Sequence, residues 1–515
     1  MPIRMVDDPQ NPKRNSNNPK RKSSSSPLLL LLIPKLLQFL IKKPKLLLVV
    51  IIIGAGLFFF TDIFQPGDIS DQAAITQEEN EFSKGLHMKQ EIYDQSSIFE
   101  PLAVGYKNQL PSKVNLERYC PTRQNQGAQG SCVGWSSAYA ARTIQQSVAT
   151  GKSPNNVAFS PSSLYNQISL PNCQGAYIHN AMEVMYQRGV LPFDDFRYNP
   201  NDCESTPSEK QMNKASMFKT RGYQRLWENE GGTDIQAIKQ NLAQKAPVVI
   251  GMLVGGSFMN AMQGQSVWQP VRSDYNMRGF GGHAMCVVGY DDDINGGSFR
   301  LMNSWGENWG DKGFCWVSYK DFEFFTKEAY GLYPMGDAKK QDPNKLSIQF
   351  GLVNNNNRKN IVLEQTASGI FRTTSPIAKG TRFKIEVQNS IECYTYILGE
   401  ETDGSSYVLF PYNEKHSPYC GITGTRLFPR IQSLMADELG ATDRIGVVVS
   451  KVPIDIEALN NAMNTAPGSY NEKLFAVLRP YLVQGVKFKS GETIAFKADV
   501  KDKKAVAMTL EIDKK

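Results

Sequence analysis

The chain has 515 residues, 41% hydrophobic and 21% charged, with a formal net charge of +7, eight cysteines and four histidines. That much apolar material can bury more than one core, which excludes wholesale disorder. Residues 1–45 carry a balance of +8 and the rest of the chain −1, so the basic character belongs to a tail and gives no support to nucleic-acid binding by the folded part. No aromatic residue precedes Phe39, so the tail also lacks a stacking platform for bases.

Residues 1–45 read as a disordered, basic cytoplasmic tail. The apolar run Leu28 to Ile41 is broken by Pro34 and Lys35 and reads as an interfacial segment. Leu46 to Phe60 is uninterrupted and apolar or small, about 22 Å long as a helix against a hydrocarbon core of about 30 Å. With Lys45 snorkelling and Thr61 to Phe64 extending it, a transmembrane helix is expected over 46–64. The long leader and the missing small-x-small site after Phe60 argue against a cleaved signal. Positive charge ahead of the span predicts a single pass with the N-terminus cytoplasmic and the remainder periplasmic or at the cell surface. Residues 65–110 read as a polar linker with one short helix near Gln77 to Met88.

Cys132 follows Gly130-Ser131 and heads a small-residue run, Val133 to Gln146, that predicts a helix. A thiol at a helix N-terminus is pushed toward thiolate by the unpaired N–H groups there. Of the four histidines, His87 lies in the linker, His179 on an apparent helix and His416 in a loop of a later region. His283 alone precedes an apolar run, Ala284 to Val288, that reads as a buried strand, and is the candidate proton acceptor. Asn303 could accept the imidazole N–H, with Trp305 covering that bond. Gln126 could donate to an oxyanion beside the Cys132 N–H.

The stretches NQGAQGSC, GHAMCVVGY and NSWGENWGDKGF, in this order, resemble the active-site blocks of the papain-like cysteine peptidases. The similarity covers roughly Leu110 to Met335. It implies an α+β, two-lobed fold over 111–336, with a helical lobe carrying Cys132 and a β-barrel-like lobe carrying His283 and Asn303. It also implies roles: Cys132 as nucleophile, His283 as general acid/base, Asn303 as its orienter and Gln126 as oxyanion donor. CQGA at Cys173 to Ala176 is similar to the family's CNGG segment, whose backbone pairs with bound peptide. Gly175, Ala176, Gly282 and Trp305 are therefore the expected substrate-binding residues. The chain departs from the family at Gln129, Val133, Gly282 and Ala176, where members commonly have Cys, Trp, Asp or Asn, and Gly. Members often carry an N-terminal inhibitory segment, but 65–110 is short and lacks a long helical pattern, so spacing rather than autoinhibition is expected of it.

Cys286 and Cys315 fall in apparent strands and read as packed thiols. Cys173 and Cys203 are expected to be bridged, or one of them to pair with Cys120. Asp291 to Asp293 with Asn295 to Gly297 reads as a hairpin turn rather than a calcium loop. Beyond 336 the pattern becomes strands and turns. Phe383, Ile385 and Val387 alternate with Lys384, Glu386 and Gln388, the period of a half-buried strand. ECYTYILGEETDGSSYVLFPYN reads as a hairpin across Asp403-Gly404, Arg444 to Ser450 as a strand, and Asp455 as the cap of a helix. Residues 337–515 are expected to form a β-rich, sandwich-like accessory domain. They resemble a bacterial domain of unknown function marked by a Tyr-x-Tyr strand, an Asp-Gly turn and a Leu-Phe-Pro end, and the domain is expected to bind a protein or cell-wall partner.

The sequence as a whole predicts a membrane-tethered bacterial cysteine peptidase acting on polypeptides, with no cofactor, no metal and no nucleic-acid partner. An acyl-transferase or peptide ligase on the same acyl-enzyme, and an inactive binding scaffold, are the alternatives.

Overall fold

The computed structural model describes residues 3–8, 82–229, 231–335, 344–501 and 505–515. The expected transmembrane helix at 46–64 and the segment Leu28 to Ile41 lie outside them. Among the described residues no helix is long and apolar enough to cross a membrane.

In the peptidase-like region, small residues after Cys132 allow close packing. A continuous helical stretch runs through Cys132–Gly134, a π-helical Trp135–Arg142 and Thr143–Thr150, and ends at Gly151 in the left-handed conformation. Every residue from Cys132 to Gln145 is buried. Facing it is a sheet in the order Tyr223–Arg225, Thr326–Leu332, Val248–Val254, Gly281–Asp291, Ser298–Met302, Phe314–Ser318 and Val267–Trp268. Its central strand, Gly281–Asp291, is buried from His283 to Tyr290 because it has neighbours on both edges and helix on one face. The Asp291 to Gly297 stretch is the expected turn between strands.

The C-terminal region is a two-sheet sandwich with a shared core. One sheet contains Gln432–Ala436, Arg382–Asn389, Lys345–Asn354 and Ile494–Asp499; the other contains Ala505–Asp513, Thr442–Ser450, Cys393–Glu400 and Ser406–Phe410. The hairpin across Asp403-Gly404 is present, and the Asp455 carboxylate accepts from the Ala458 N–H at 2.9 Å to cap Ile456–Thr465.

Arg382–Asn389 differs from the half-buried strand its alternation suggested, since Lys384 and Glu386 are as buried as Phe383, Ile385 and Val387. Its outer face is covered by distant parts of the chain. Tyr106 and Lys107 both donate to the Glu386 carboxylate, and the Lys384 ammonium meets three carbonyls and the Asp8 carboxylate at 3.2 Å. Asp8 belongs to the stretch expected to be a disordered tail. Ile3–Asp7 is a strand there, antiparallel to Gln432–Ala436 over five residue pairs, with Met5 against the sandwich core.

Residues 82–110 are no free spacer either. Of the helix expected near Gln77 to Met88, residues 77–81 lie outside the described residues; Phe82 to Met88 carries no helix, and helix appears at Gln90–Tyr93. Between Ser97 and Asn108 the chain is wedged between the two folded regions. Ile98 exchanges backbone hydrogen bonds with Lys415 and Ser417, Phe99 N–H donates to Arg225, and Ala103 N–H donates to Thr425. Ile422 of the C-terminal region is buried in the core of the peptidase-like region.

Candidate active site

His283, at the start of the central strand, meets Asn303, in the turn after Ser298–Met302, and the Cys132 sulfur at the start of the helix lies against the backbone N–H of Ala284, the residue after His283. The imidazole Nε2 lies 2.7 Å from Asn303 Oδ1. The same oxygen accepts the backbone N–H of Ser304 at 2.8 Å, and because a backbone N–H can only donate, the amide cannot be flipped. Nε2 must therefore carry the proton, which leaves Nδ1 as the basic nitrogen. Nδ1 is buried and has no partner among protein side chains or backbone. Trp305 stacks on the ring at 4.4 Å between centroids and shields the Nε2–H bond from water.

The Cys132 sulfur is faced by the N–H groups of Ala284, the residue after His283, and of Gly85, Val133 and Cys132 itself. Burial nevertheless pushes the thiol up to about 11, and burial pushes His283 down to about 4. Both are thus neutral at ordinary pH, because water is excluded from them.

What excludes water is the chain's own segment Phe82 to Met88, which occupies the cleft. Ala176 N–H donates to Gly85 O at 2.8 Å, His87 N–H to Ala176 O at 3.0 Å, and Leu86 N–H to Gly282 O at 3.1 Å. The Trp305 indole donates to Ser83 O at 3.0 Å, Phe82 stacks on Trp305, and Leu86 is buried against Gly251. Gly175 lies under Gly85, where a Cβ would meet Gly85 O at 2.1 Å. All four residues expected to bind substrate are thus in contact with this strap. The Gln126 carboxamide is fixed by Ser304, whose hydroxyl donates to its Oε1 at 2.6 Å, so its Nε2 points to Gln129 O and, at 3.2 Å, to Ser83 O. The strap offers the sulfur the Gly85 N–H as a donor.

Sequence reasoning missed the strap, together with Tyr165 and Tyr198. The first donates to Cys173 O and accepts from Gly175 N–H; the second donates to Gln126 O. The Cys173–Cys203 bridge is present, and Cys120 is free and buried. His179 is packed against the Ser96 hydroxyl, and His87 and His416 bond to Gln174 O and Asn413. Among the described residues no cluster of ligating side chains could hold a metal ion.

Residues 110–332 match the family described as papain family cysteine protease. Over this segment the chain is similar to the papain-like cysteine peptidases. Its relatives include an uncharacterized peptidase C1-like protein of Acanthamoeba polyphaga mimivirus, 30% identical over 206 residues, and cathepsin K of Mus musculus, 27% identical over 227 residues. These alignments cover 38% and 43% of this chain and 64% and 63% of the two relatives, so the chain spans a little under two thirds of each. Among solved structures, xylellain, a cysteine protease from Xylella fastidiosa, aligns with a TM-score of 0.41 at 23% identity, covering 51% of this chain and 98% of that one. The papain-like segment is flanked here by the strap on one side and the sandwich on the other, neither of which lies within the matched residues.

Proposed function

We propose that the protein is a membrane-tethered cysteine peptidase that hydrolyses polypeptides through a thioester on Cys132 and is held latent by the strap. The observation that carries this reading is the strap itself. Gly282, Ala176, Gln126 and Trp305 hold an extended polypeptide by its main chain, so the cleft is built for peptide of varied sequence.

With the strap displaced, His283 Nδ1 takes the Cys132 proton, and the thiolate at the helix N-terminus attacks a substrate carbonyl. The resulting oxyanion is held by the Cys132 N–H and the Gln126 amide. The imidazolium returns its proton to the leaving amine, and Asn303 holds the ring throughout. A water molecule, deprotonated by Nδ1, then releases the acyl group. Gly175, Ala176, Gly282 and Trp305 position the substrate as they now position the strap. The apolar run at Leu46 to Phe60 supports tethering, and the Cys173–Cys203 bridge supports a peptidase domain facing an oxidising, extracytoplasmic space.

Incubating the full chain and its Gly85→Val variant with a peptide library and an added amine, with mass-spectrometric readout, tests the reaction. Cleaved peptides with free carboxyl ends support hydrolysis. Products dominated by amine adducts would assign the acyl-enzyme to transfer instead, and no product from either protein would overturn the proposal.

A further inference from the structure

Outside the cleft, the cysteines Cys120, Cys286, Cys315, Cys393 and Cys420 are unbridged and buried. Cys120 and Cys286 aim their thiols at the carbonyls of Leu116 and Val287, at 3.6 and 3.9 Å, as packed thiols do. Cys393 and Cys420 behave differently. They sit directly opposite one another where Cys393–Glu400 pairs antiparallel with Tyr419–Cys420. Their sulfurs share the Thr395 hydroxyl at 3.8 and 3.6 Å. Opposed residues in antiparallel strands keep their Cα atoms about 4.5–5.5 Å apart, inside the range a disulfide spans.

We propose that Cys393 and Cys420 are joined by a second disulfide in the mature protein, a cross-strand staple in the accessory domain. The Cys173–Cys203 bridge independently points to a compartment where disulfides persist. The oxidant is an external disulfide of the low-molecular-weight or oxidoreductase class. One of the two thiols, as its thiolate, here written as Cys420, attacks one sulfur of that disulfide and expels a first thiolate. Cys393 then loses its proton to a departing thiolate, attacks the Cys420 sulfur and expels the second. Two protein thiols thereby lose two electrons and two protons, and the external disulfide becomes two thiols. With both side chains about 2% exposed or less in the closed sandwich, the exchange belongs to folding, before the sheets close. The staple fixes the end of the loop 413–420, whose Lys415 and Ser417 grip Ile98 just beyond the strap.

The test uses the full chain, extracted with N-ethylmaleimide under denaturing conditions, digested without reduction and mapped by mass spectrometry. The expected result is one linked peptide pair joining Cys393 to Cys420 and another joining Cys173 to Cys203, with maleimide on Cys120, Cys132, Cys286 and Cys315. Maleimide on both Cys393 and Cys420 would overturn the proposal whatever the state of Cys173 and Cys203. A Cys420→Ser variant gives a second reading, since maleimide should then appear on Cys393 in denatured protein. If Cys393 is equally labelled in the wild type, there is no staple.

Discussion

At the scale of single residues, the carboxamide of Asn303 decides the chemistry. Bound by a donor it cannot avoid, the Ser304 N–H, it turns its oxygen to His283 and fixes the tautomer that leaves Nδ1 basic. Asn303→Ala should lower kcat about a hundredfold with little change in KM, as expected for loss of an oriented base. Gln126→Ala should cost about 10²–10³ in kcat, the usual loss for one oxyanion donor. Both are best measured in a strap-displaced background, where Gln126 has no competing contact with Ser83. Residues 126, 132, 283 and 303 were singled out in the sequence by the motif blocks they sit in, and the structure pairs His283 with Asn303. Tyr165 and Tyr198 were not, because a tyrosine that positions backbone looks like any other buried tyrosine.

Burial of His283 also makes the closed site sensitive to acid. Its pKa is about 4 with the strap in place, against an ordinary 6.5 once hydrated. The open state therefore binds more protons between those values, so the closed state loses stability as pH falls from about 6.5 toward 4. Hydrogen exchange at the Leu86 and His87 amides, corrected for intrinsic rates, should accelerate over that interval. Protection that stays constant or grows on acidification would contradict the assignment.

At the scale of elements, the strap is the feature the sequence hid. The helix after Cys132 and the strand after His283 announce themselves by small-residue and apolar patterns, whereas Phe82 to Met88 is held mainly by its main chain, which any sequence can offer. Beyond the Phe82 ring and the buried Leu86, the tightest constraint falls on Gly85. A Cβ there would fall 2.0 Å from Gly130 O, a clash with backbone that no rotamer relieves. Gly282 has the same relation to Leu86 O, at 2.2 Å. Gly85→Val should therefore eject the strap without touching a catalytic group. A shift of about 1.4 kcal/mol or more toward the open state should raise the rate of Cys132 alkylation by iodoacetamide roughly tenfold or more. An unchanged rate would mean that the strap does not guard the sulfur. The burial of Lys384 and Glu386 was illegible for a related reason: alternation reports one face of a strand, and here the second face is covered by residues far away in the chain.

At the scale of the molecule, the accessory domain acts on the chain itself. It grips the segment between Ser97 and Asn108 and so anchors the strap from downstream. It also receives Ile3–Asp7 as a strand and the Asp8 carboxylate on buried Lys384. The pairing of Ile3–Asp7 into that sheet predicts that residues 3–8 and the sandwich lie on one side of the membrane, whereas a single crossing at 46–64 with the N-terminus inside predicts the opposite. Cysteines introduced at Pro2 and at exposed Lys515 should therefore react alike with a membrane-impermeant maleimide in intact cells. Opposite reactivity would show that the strand pairing does not hold in the cell.

The most direct measurement is hydrolysis of a fluorogenic peptide by the Gly85→Val chain, alone and combined with Cys132→Ala. The account predicts turnover by the first, well above that of the wild type, and none by the second. Equal turnover by both variants, or none by the first despite rapid alkylation of Cys132, would contradict it.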